Sequence, residues 1–428
     1  MRRATVGGIS LPAMKFRLAL LAAGVLLFVA PPGTAFASFA GDGIETVNFG
    51  AIDSAGSVAV GPDGEIVTVG STSNAMTSFD LAVARFDAVG NPDGTFSGDG
   101  RQITDLGGFD SGKGIVVQKD GKIVAVGSNA AGNGSIVVVR YTKAGELDPT
   151  FAGDGIQEVS FPGGASGDGV ALGRKGTITV VGEARNNFAV ARLSKKGELD
   201  RSFSKDGKTL TDMGGLDGAE DVAAQPDGRI VVAGTTCVGG GMCLKDRMAV
   251  ARYKPNGGLD RSFSKDGRSV TNVQKAASAE AVALQRDGRI VLAGSANDDF
   301  ASFAAVRLKA DGSLDRKFGK KGKTVVSFGD SASARDVVVL RSGRIVMAGD
   351  TQSTPTVDSA VVALRPNGSL DGEFAGGGKA TYDIGAGNGD TAAGIAVLSR
   401  KNFVVMGSFN PNSDIYVARF DNVGALAG

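Results

Sequence analysis

A segment that recurs seven times constrains this chain more than any other feature of its sequence. The recurrence is clearest at Phe203 and Phe263, which both begin the sequence FSKDG. The anchor phenylalanines of the seven units are Phe39, Phe96, Phe151, Phe203, Phe263, Phe318 and Phe374. They stand 52 to 60 residues apart. A period of this size indicates a repeat architecture, in which each unit forms one supersecondary element.

Each unit has the pattern of four short β-strands. In the fourth unit, strands are expected at Lys208–Asp212, Asp221–Gln225, Arg229–Gly234 and Met248–Tyr253. Pro226, Asp227 and Gly228 form a hairpin-turn signal between the second and third of these strands. The same turn in the other units carries a residue that tolerates a positive φ: Gly64, Gly121, Gly176, Gly288, Gly343 or Asn402. The strand after this turn is expected to end at Gly70, Gly127, Gly182, Gly234, Gly294, Gly349 or Gly407.

Seven units of four antiparallel strands predict an all-β fold, a seven-bladed β-propeller. A β-helix or open solenoid is the structural alternative, but it gives no reason for a tight hairpin in every unit. The last unit ends at Leu426, before a fourth strand could form, and an unused strand lies at Ile44–Phe49. We therefore expect the N-terminal strand to complete the last blade and close the ring.

The strand pattern xPDGxIVVAG, followed by AVARYxxxGxLDxxF and xxDG, resembles the delta-60 repeat family of bacterial β-propellers. It is also similar, more distantly, to NHL-type propellers. The resemblance extends over residues 38–428. It implies the propeller fold and a bacterial source, and it implies no particular activity.

Residues 1–37 have the features of a secretory signal peptide. A basic start precedes the apolar run Leu18–Ala30, and Ala35 and Ala37 are small residues at the two positions that a signal peptidase reads. We expect cleavage after Ala37, leaving residues 38–428 as a secreted or cell-surface propeller that is not inserted in the membrane. This segment holds four of the 46 basic side chains and none of the 45 acidic ones, so the mature net charge is −3. That balance argues against a nucleic-acid partner. We also expect the protein to be a monomer.

The sequence contains no histidine, which excludes Ser-His-Asp catalysis and histidine-ligated zinc. The two cysteines, Cys237 and Cys243, lie in one expected loop of an exported chain. We expect a disulfide between them in preference to a metal site or a nucleophile.

Binding is expected on the face of the ring that carries the longer connections, because loops on a rigid scaffold usually carry function. The longest of these connections are Ser71–Asp80, Ser128–Ser135, Thr235–Asp246, Ser295–Ser302 and Asp350–Asp358. On this face an aspartate recurs five residues before the inner strand's first apolar residue, as Asp53, Asp110, Asp217 and Asp390. These four carboxylates could form a ligand site and bind Ca²⁺. Alternatively, each begins a turn, a position in which aspartate is common.

Two basic sets also recur. Arginines near the end of the third strand of each blade are expected to pack between blades and pair with a repeated aspartate: Arg85, Arg140, Arg192, Arg252, Arg307 and Arg419. The opposite, turn-rich face of units three to six is basic, and it could bind an anionic polymer or serve as a solvated rim. Its residues are Lys195, Lys196, Arg201, Lys205, Arg261, Lys265, Arg316, Lys317, Lys320 and Lys321.

These features predict an exported binding or scaffold module whose partner is an extracellular protein or polysaccharide. The alternatives are a carboxylate-dependent glycosidase or lyase, which would need two or three acids at fixed separation, and a purely structural surface protein. No pair of acids in the sequence is marked as special, and a chain without tryptophan offers little for sugar stacking. A non-enzymatic role is therefore favoured.

Overall fold

Seven four-stranded antiparallel sheets make up the computed structural model of this protein, as the repeat predicts. The structure describes residues 39, 41–50, 52–75, 78–239, 245–353, 356–384, 389–409 and 413–427. Residues 1–37, the predicted signal peptide, lie outside these ranges. Within them, no helix has the length and apolar character needed to cross a membrane.

Each blade has an inner, a second, a third and an outer strand, in that order across the sheet. The inner strands are β2 (Ile52–Val60), β6 (Asp110–Val117), β10 (Ser166–Leu172), β14 (Leu216–Ala224), β18 (Ala276–Leu284), β22 (Ala332–Val339) and β26 (Asp390–Val397). The second strands are β3 (Ile66–Ala75), β7 (Ile123–Asn129), β11 (Ile178–Ala184), β15 (Ile230–Val238), β19 (Ile290–Asn297), β23 (Ile345–Ser353) and β27 (Asn402–Phe409).

The third strands are β4 (Ser78–Phe86), β8 (Ser135–Tyr141), β12 (Asn187–Leu193), β16 (Lys245–Tyr253), β20 (Ala301–Leu308), β24 (Thr356–Leu364) and β28 (Asp414–Asp421). The outer strands are β5 (Arg101–Thr104), β9 (Ile156–Val159), β13 (Lys208–Thr211), β17 (Arg268–Thr271), β21 (Lys323–Val326), β25 (Lys379–Tyr382) and β1 (Ile44–Val47). Blades 1 to 6 begin at β2, β6, β10, β14, β18 and β22, and blade 7 consists of β26, β27, β28 and β1.

The N-terminal strand closes the ring, as predicted. Strand β1 pairs antiparallel with β28, from Ile44 opposite Ala418 to Val47 opposite Ile415. The anchor Phe39 is fully buried, and the guanidinium of Arg419 lies 5.2 Å from its ring centroid. The two ends of the chain therefore build one blade together.

The face with the longer connections consists mainly of β-hairpins, which corrects the expected loops. Strand β15 continues past Gly234 to Val238, and β16 begins at Lys245. The second and third strands of the other blades also extend into the segments predicted as loops. In the β15–β16 hairpin the antiparallel ladder continues to Val238 opposite Lys245. We call this side the hairpin face and the opposite side the turn face.

One turn on the turn face also differs from prediction. In six units the glycine of the tight turn has a positive φ, for example 90° at Gly228. In the seventh unit, Asn402 is the first residue of β27 and pairs with Asp421. This turn is as long as the others, since Val397 pairs with Phe403 as Ala224 pairs with Ile230, and Lys401, which has no positive φ, holds the position of Gly228.

A glycine in each second strand lies opposite a β-bulge in the inner strand. In blade 2 the register shifts between Gly112 and Gly114, which leaves Lys113 unpaired. A Cβ on Gly127 would lie 1.5 Å from the Ser111 carbonyl oxygen. Only glycine allows the bulged strand to approach this closely, so the recurrent glycines preserve the bulge and do not end the strand.

The recurrent arginines join neighbouring blades, as predicted. In blade 4, Arg252 Nε donates to Asp260 at 2.9 Å, and its guanidinium lies 4.7 Å from the Phe263 ring centroid. Its Nη1 donates at 2.5 Å to the Ala310 carbonyl of blade 5. Corresponding ion pairs connect Arg85 with Asp93, Arg140 with Asp148, Arg192 with Asp200 and Arg307 with Asp315. In these blades too the arginine Nη1 donates to a carbonyl of the next blade. In blade 7 the position of the repeated aspartate is held by Ala427, and Arg419 Nε donates to the Ala427 carbonyl.

Blade 6 makes the same connection with a different arginine, because alanine stands at position 363. Arg344, just before β23, pairs with Asp371 at 2.5 Å and donates to the Asn422 carbonyl of blade 7. The contact between blades is therefore kept although the arginine comes from another strand.

Candidate functional site

The four predicted site aspartates occupy equivalent positions near the start of their inner strands. Asp53, Asp110 and Asp217 are each 2% exposed, and Asp390 is fully buried. Each accepts a hydrogen bond from a backbone N–H in the connection that precedes it, such as Leu106 N–H to Asp110 Oδ2 at 2.8 Å. The other three donors are the N–H groups of Phe49, Met213 and Ile384.

Each aspartate therefore makes a contact that forms a turn. Their role in binding a ligand stays a prediction. Among the described residues, only one of the four belongs to a close group of three potential metal ligands: Asp110, with Asp80 and Asp105. Because each aspartate lies beneath its own connection, the four do not make one cluster of carboxylates. Ca²⁺ binding by the set as a whole stays a prediction.

The central channel is lined by residues that the sequence did not single out. The bulged residue of every inner strand borders a cavity of about 160 Å³ at the ring axis. In blade order these residues are Gly56, Lys113, Asp168, Glu220, Glu280, Arg335 and Ala393. We call Asp168, Glu220 and Glu280, from the consecutive blades 3, 4 and 5, the acidic sector.

Burial in the channel favours the protonated forms of Glu220 and Asp168, although the basic residues Lys113 and Arg335 line the same cavity. Desolvation raises the pKa of Glu220 to about 8, and the carboxylates of Asp168 and Glu280 contribute to this shift. Desolvation also raises the pKa of Asp168 to about 6, although Lys113 opposes the increase. Perturbed carboxyl groups in a cleft are characteristic of functional sites.

Two further channel aspartates have a structural role. Asp221 accepts hydrogen bonds from Val222 N–H at 2.7 Å and from Val282 N–H of the next blade at 2.8 Å. Asp336 contacts Val337 and Ile395 in the same way. Desolvation raises the pKa of Asp221 to about 6 and that of Asp336 to about 7. Each of these carboxyl groups joins two inner strands.

The sequence does carry a signal for the channel residues. Five of the seven units have a charged residue two positions before the first apolar residue of the inner strand, as with Glu220 before Val222. Period-two alternation alone does not show which way this residue points. The bulge directs it into the channel, and the bulge is visible only in the pairing register.

A groove on the hairpin face borders the channel beside blades 1, 2 and 7. Its cavity volume is about 490 Å³, and its lining includes Asp53, Asp110 and the channel residue Lys113. Phe109 is 54% exposed, and its ring centroid lies 6.3 Å from that of Phe79. The groove thus combines an exposed aromatic pair with buried carboxyl groups.

The turn face carries basic grooves between blades. One of about 740 Å³ lies between blades 2 and 3, and another of about 790 Å³ lies beside blade 5. Of the predicted basic set, Lys195 and Lys196 line the first groove, and Arg316 and Lys317 line the second. Both are charged, and the lining of each includes one buried member of an arginine–aspartate pair, Arg140 in the first and Asp315 in the second.

Cys237 is 5% exposed and lies in β15. Cys243 lies outside the residues that the structure describes. The disulfide between them therefore remains a prediction.

Comparisons with known proteins agree with the repeat fold. The family model described as a domain of unknown function (DUF5122) β-propeller matches residues 61–96, 118–151, 176–203, 225–263 and 285–318. No functionally curated protein matches the chain in sequence. These matches support a β-propeller repeat family, without distinguishing the delta-60 or NHL type that the sequence resembles.

Similar solved structures are distant in sequence. A protein of unknown function from Dyadobacter fermentans is 14% identical with a TM-score of 0.43, over 88% of this chain and 99% of that chain. Sqt1 of Chaetomium thermophilum, bound to the N-terminus of ribosomal protein L10, is 13% identical with a TM-score of 0.46, over 88% and 100%.

PorZ, a bacterial surface component of the type-IX secretion system of Porphyromonas gingivalis, is 14% identical with a TM-score of 0.46. The match covers 84% of this chain and 46% of PorZ. Similarities this distant carry no information about the ligand of this chain. The matching repeats and the seven four-stranded blades together show that the chain is a β-propeller repeat protein.

Proposed function

We propose that this protein is an exported, monomeric binding module that recognises a basic segment of an extracellular protein on its hairpin face. The observation that carries the proposal is the acidic sector, where Asp168, Glu220 and Glu280 approach one another in a narrow channel. A positively charged Lys or Arg side chain would relieve their mutual repulsion.

The size of the channel favours recognition of a single side chain. Its cavity of about 160 Å³ is smaller than the ~300–1,000 Å³ that encloses a typical small-molecule ligand. A single long side chain could enter it while the rest of the segment lies in the adjacent groove. There the exposed Phe109 and its neighbour Phe79 offer an apolar contact, as aromatic residues often do at the centre of protein interfaces.

The alternative of a carboxylate-dependent glycosidase or lyase would place its chemistry at the same residues. Glu220, with its pKa raised to about 8, has the property required of a general acid. The small cavity leaves little room for two sugar rings on either side of a scissile bond. Binding without catalysis therefore fits the channel better, and a purely structural role does not explain why three acidic residues of consecutive blades face it.

Display selection of random peptides on the purified propeller tests the proposal. Enriched peptides should contain Lys or Arg beside an apolar residue, and Glu220→Gln and Phe109→Ala should each weaken their binding at least tenfold. Glu198→Gln, a change at an exposed acid on the turn face, should leave binding unchanged. Enrichment of acidic peptides, or equal loss in the Glu198 variant, would contradict the proposal.

The basic turn-face groove beside Lys195 and Lys196 supports a second candidate, the binding of an anionic polysaccharide. Contacts of that kind depend strongly on ionic strength, because exposed charges are screened by salt. Binding of a polyanion such as heparin that disappears at high salt and in a Lys195→Ala, Lys196→Ala double variant would support this candidate. Binding that survives both changes would exclude it.

A further inference from the structure

Three aspartates meet where blade 1 joins blade 2. Asp80 lies in β4, Asp105 directly follows β5, and Asp110 begins β6. One carboxylate oxygen from each lies within 4.8 Å of the other two. Burial and the two neighbouring carboxylates raise the pKa of Asp110, and burial and Asp105 raise that of Asp80. Like charges this close repel each other unless a cation lies between them.

One oxygen of Asp110 has no protein donor. Asp110 is 2% exposed, and its Oδ2 accepts the Leu106 N–H. Its Oδ1 is buried without a hydrogen-bond partner. Asn129, opposite Asp110 in the ladder, donates its amide to the Leu106 carbonyl and accepts the Ala131 N–H. A buried carboxylate oxygen left in this state costs free energy.

The equivalent junction between blades 7 and 1 holds one carboxylate fewer. Asp414, Asn48 and Asp53 occupy the corresponding three positions there. Asn48 donates its side-chain amide to Asp414 at 2.7 Å, and Asp53 Oδ1 is buried without a hydrogen-bond partner, as Asp110 Oδ1 is. Between blades 1 and 2 an aspartate replaces the asparagine, and Asn129 replaces the threonine. The amide donor of Asn48 is lost and the negative charge increases.

We propose that Asp80, Asp105 and Asp110 bind a calcium ion between blades 1 and 2. An oxygen spacing of up to 4.8 Å suits a cation that lies about 2.3–2.6 Å from each ligand. Water can complete the coordination, since Asp80 is partly exposed and Asp105 is exposed. Calcium fits better than magnesium because it accepts irregular geometry and many oxygen ligands. Three carboxylates with water place the expected Kd at about 0.1–1 mM, the range of extracellular calcium modules.

The site is separate from the acidic sector, so its test does not depend on the proposed function. Calorimetric titration of the mature protein with CaCl₂ should show one ion bound, and the same calcium should raise Tm. Asp105→Asn should weaken binding at least tenfold. It should also raise Tm in EDTA, because the new amide can donate to a neighbouring carboxylate as Asn48 does. A higher Tm of Asp105→Asn in EDTA would show that the variant has lost the calcium site and not its fold.

Asp212→Asn is the matched control. Asp212 follows β13 as Asp105 follows β5, and both accept an N–H two residues later, from Gly214 and Gly107, at 2.7 Å. The control should bind calcium like the unaltered protein. No binding heat and no change in Tm up to 10 mM CaCl₂, about tenfold above the weakest expected Kd, would overturn the proposal. Equal loss of binding in both variants would also overturn it.

Discussion

Substitution of one second-strand glycine should destabilise the ring, because it removes the space that the inner-strand bulge occupies. The added Cβ in Gly127→Ala would lie 1.5 Å from the Ser111 carbonyl oxygen, far inside the 3.4–4 Å of ordinary contact. The atom in the way belongs to the backbone of β6, which is paired with β7 at Ser111 itself, so it cannot rotate aside. Overpacking of a rigid core typically costs about 1–3 kcal/mol. We expect the upper end of that range or more.

Urea unfolding followed by circular dichroism measures this cost, and Gly377→Ala is the matched control. A Cβ at Gly377 would meet no atom within 4 Å, and the residue has no positive φ. Its free energy of unfolding should change by less than about 0.5 kcal/mol. If Gly127→Ala does not yield folded protein, Gly70→Ala, where the corresponding distance is 2.1 Å, provides the measurement. Equal unfolding midpoints for the glycine-to-alanine variants and the control would refute the role given to the bulge.

Three further predictions concern ring closure, the contact between blades and the channel. Deletion of Ser38–Gly50 removes β1 and should abolish the single cooperative unfolding transition in calorimetry; an unchanged melting curve would exclude closure by this strand. Arg344→Ala should lower the free energy of unfolding by about 3 kcal/mol. Arg365→Ala, which removes a half-exposed arginine 3.4 Å from Asp371, should cost less than about 1 kcal/mol. Equal losses in urea unfolding would contradict this. Glu220 holds its proton to about pH 8 in the folded state, against an ordinary pKa of 4.5, so its contribution to stability should fall as the pH rises between those values. Glu220→Gln should therefore have a higher Tm than the unaltered protein at pH 9 and a similar Tm at pH 4; a constant difference across this range would contradict the shifted pKa.

The architecture could be predicted because it depends on features repeated in the sequence. The spacing of the anchor phenylalanines gives the number of blades, and the missing last strand indicates closure by Ile44–Phe49. The arginine–aspartate pairs were equally accessible, since residues such as Arg252 and Asp260 keep a constant separation of eight residues. Each of these inferences uses the spacing of residues along the sequence, and each repeat unit provides an independent observation of that spacing.

The candidate site depends on geometry that local spacing does not contain. Glu220 faces the channel because one extra residue shifts the ladder between Ala219 and Asp221. Asp110 joins a close group of three carboxylates because Asp80, from the preceding blade, and Asp105 both lie beside it. Neither the bulge at Glu220 nor the set of neighbours around Asp110 appears as a sequence motif. Both require knowing which strands lie side by side.

The claim that the channel raises the pKa of Glu220 can be measured directly. Carboxyl-carbon NMR of the glutamate-labelled mature protein, with Glu220→Gln to assign the resonance, reports the titration of this single group. The account predicts a midpoint near the raised pKa of about 8 for Glu220, and a lower midpoint when a basic peptide is bound. A midpoint near the ordinary value of 4.5 would show that the channel is well solvated or already neutralised, and would contradict the central role of the acidic sector.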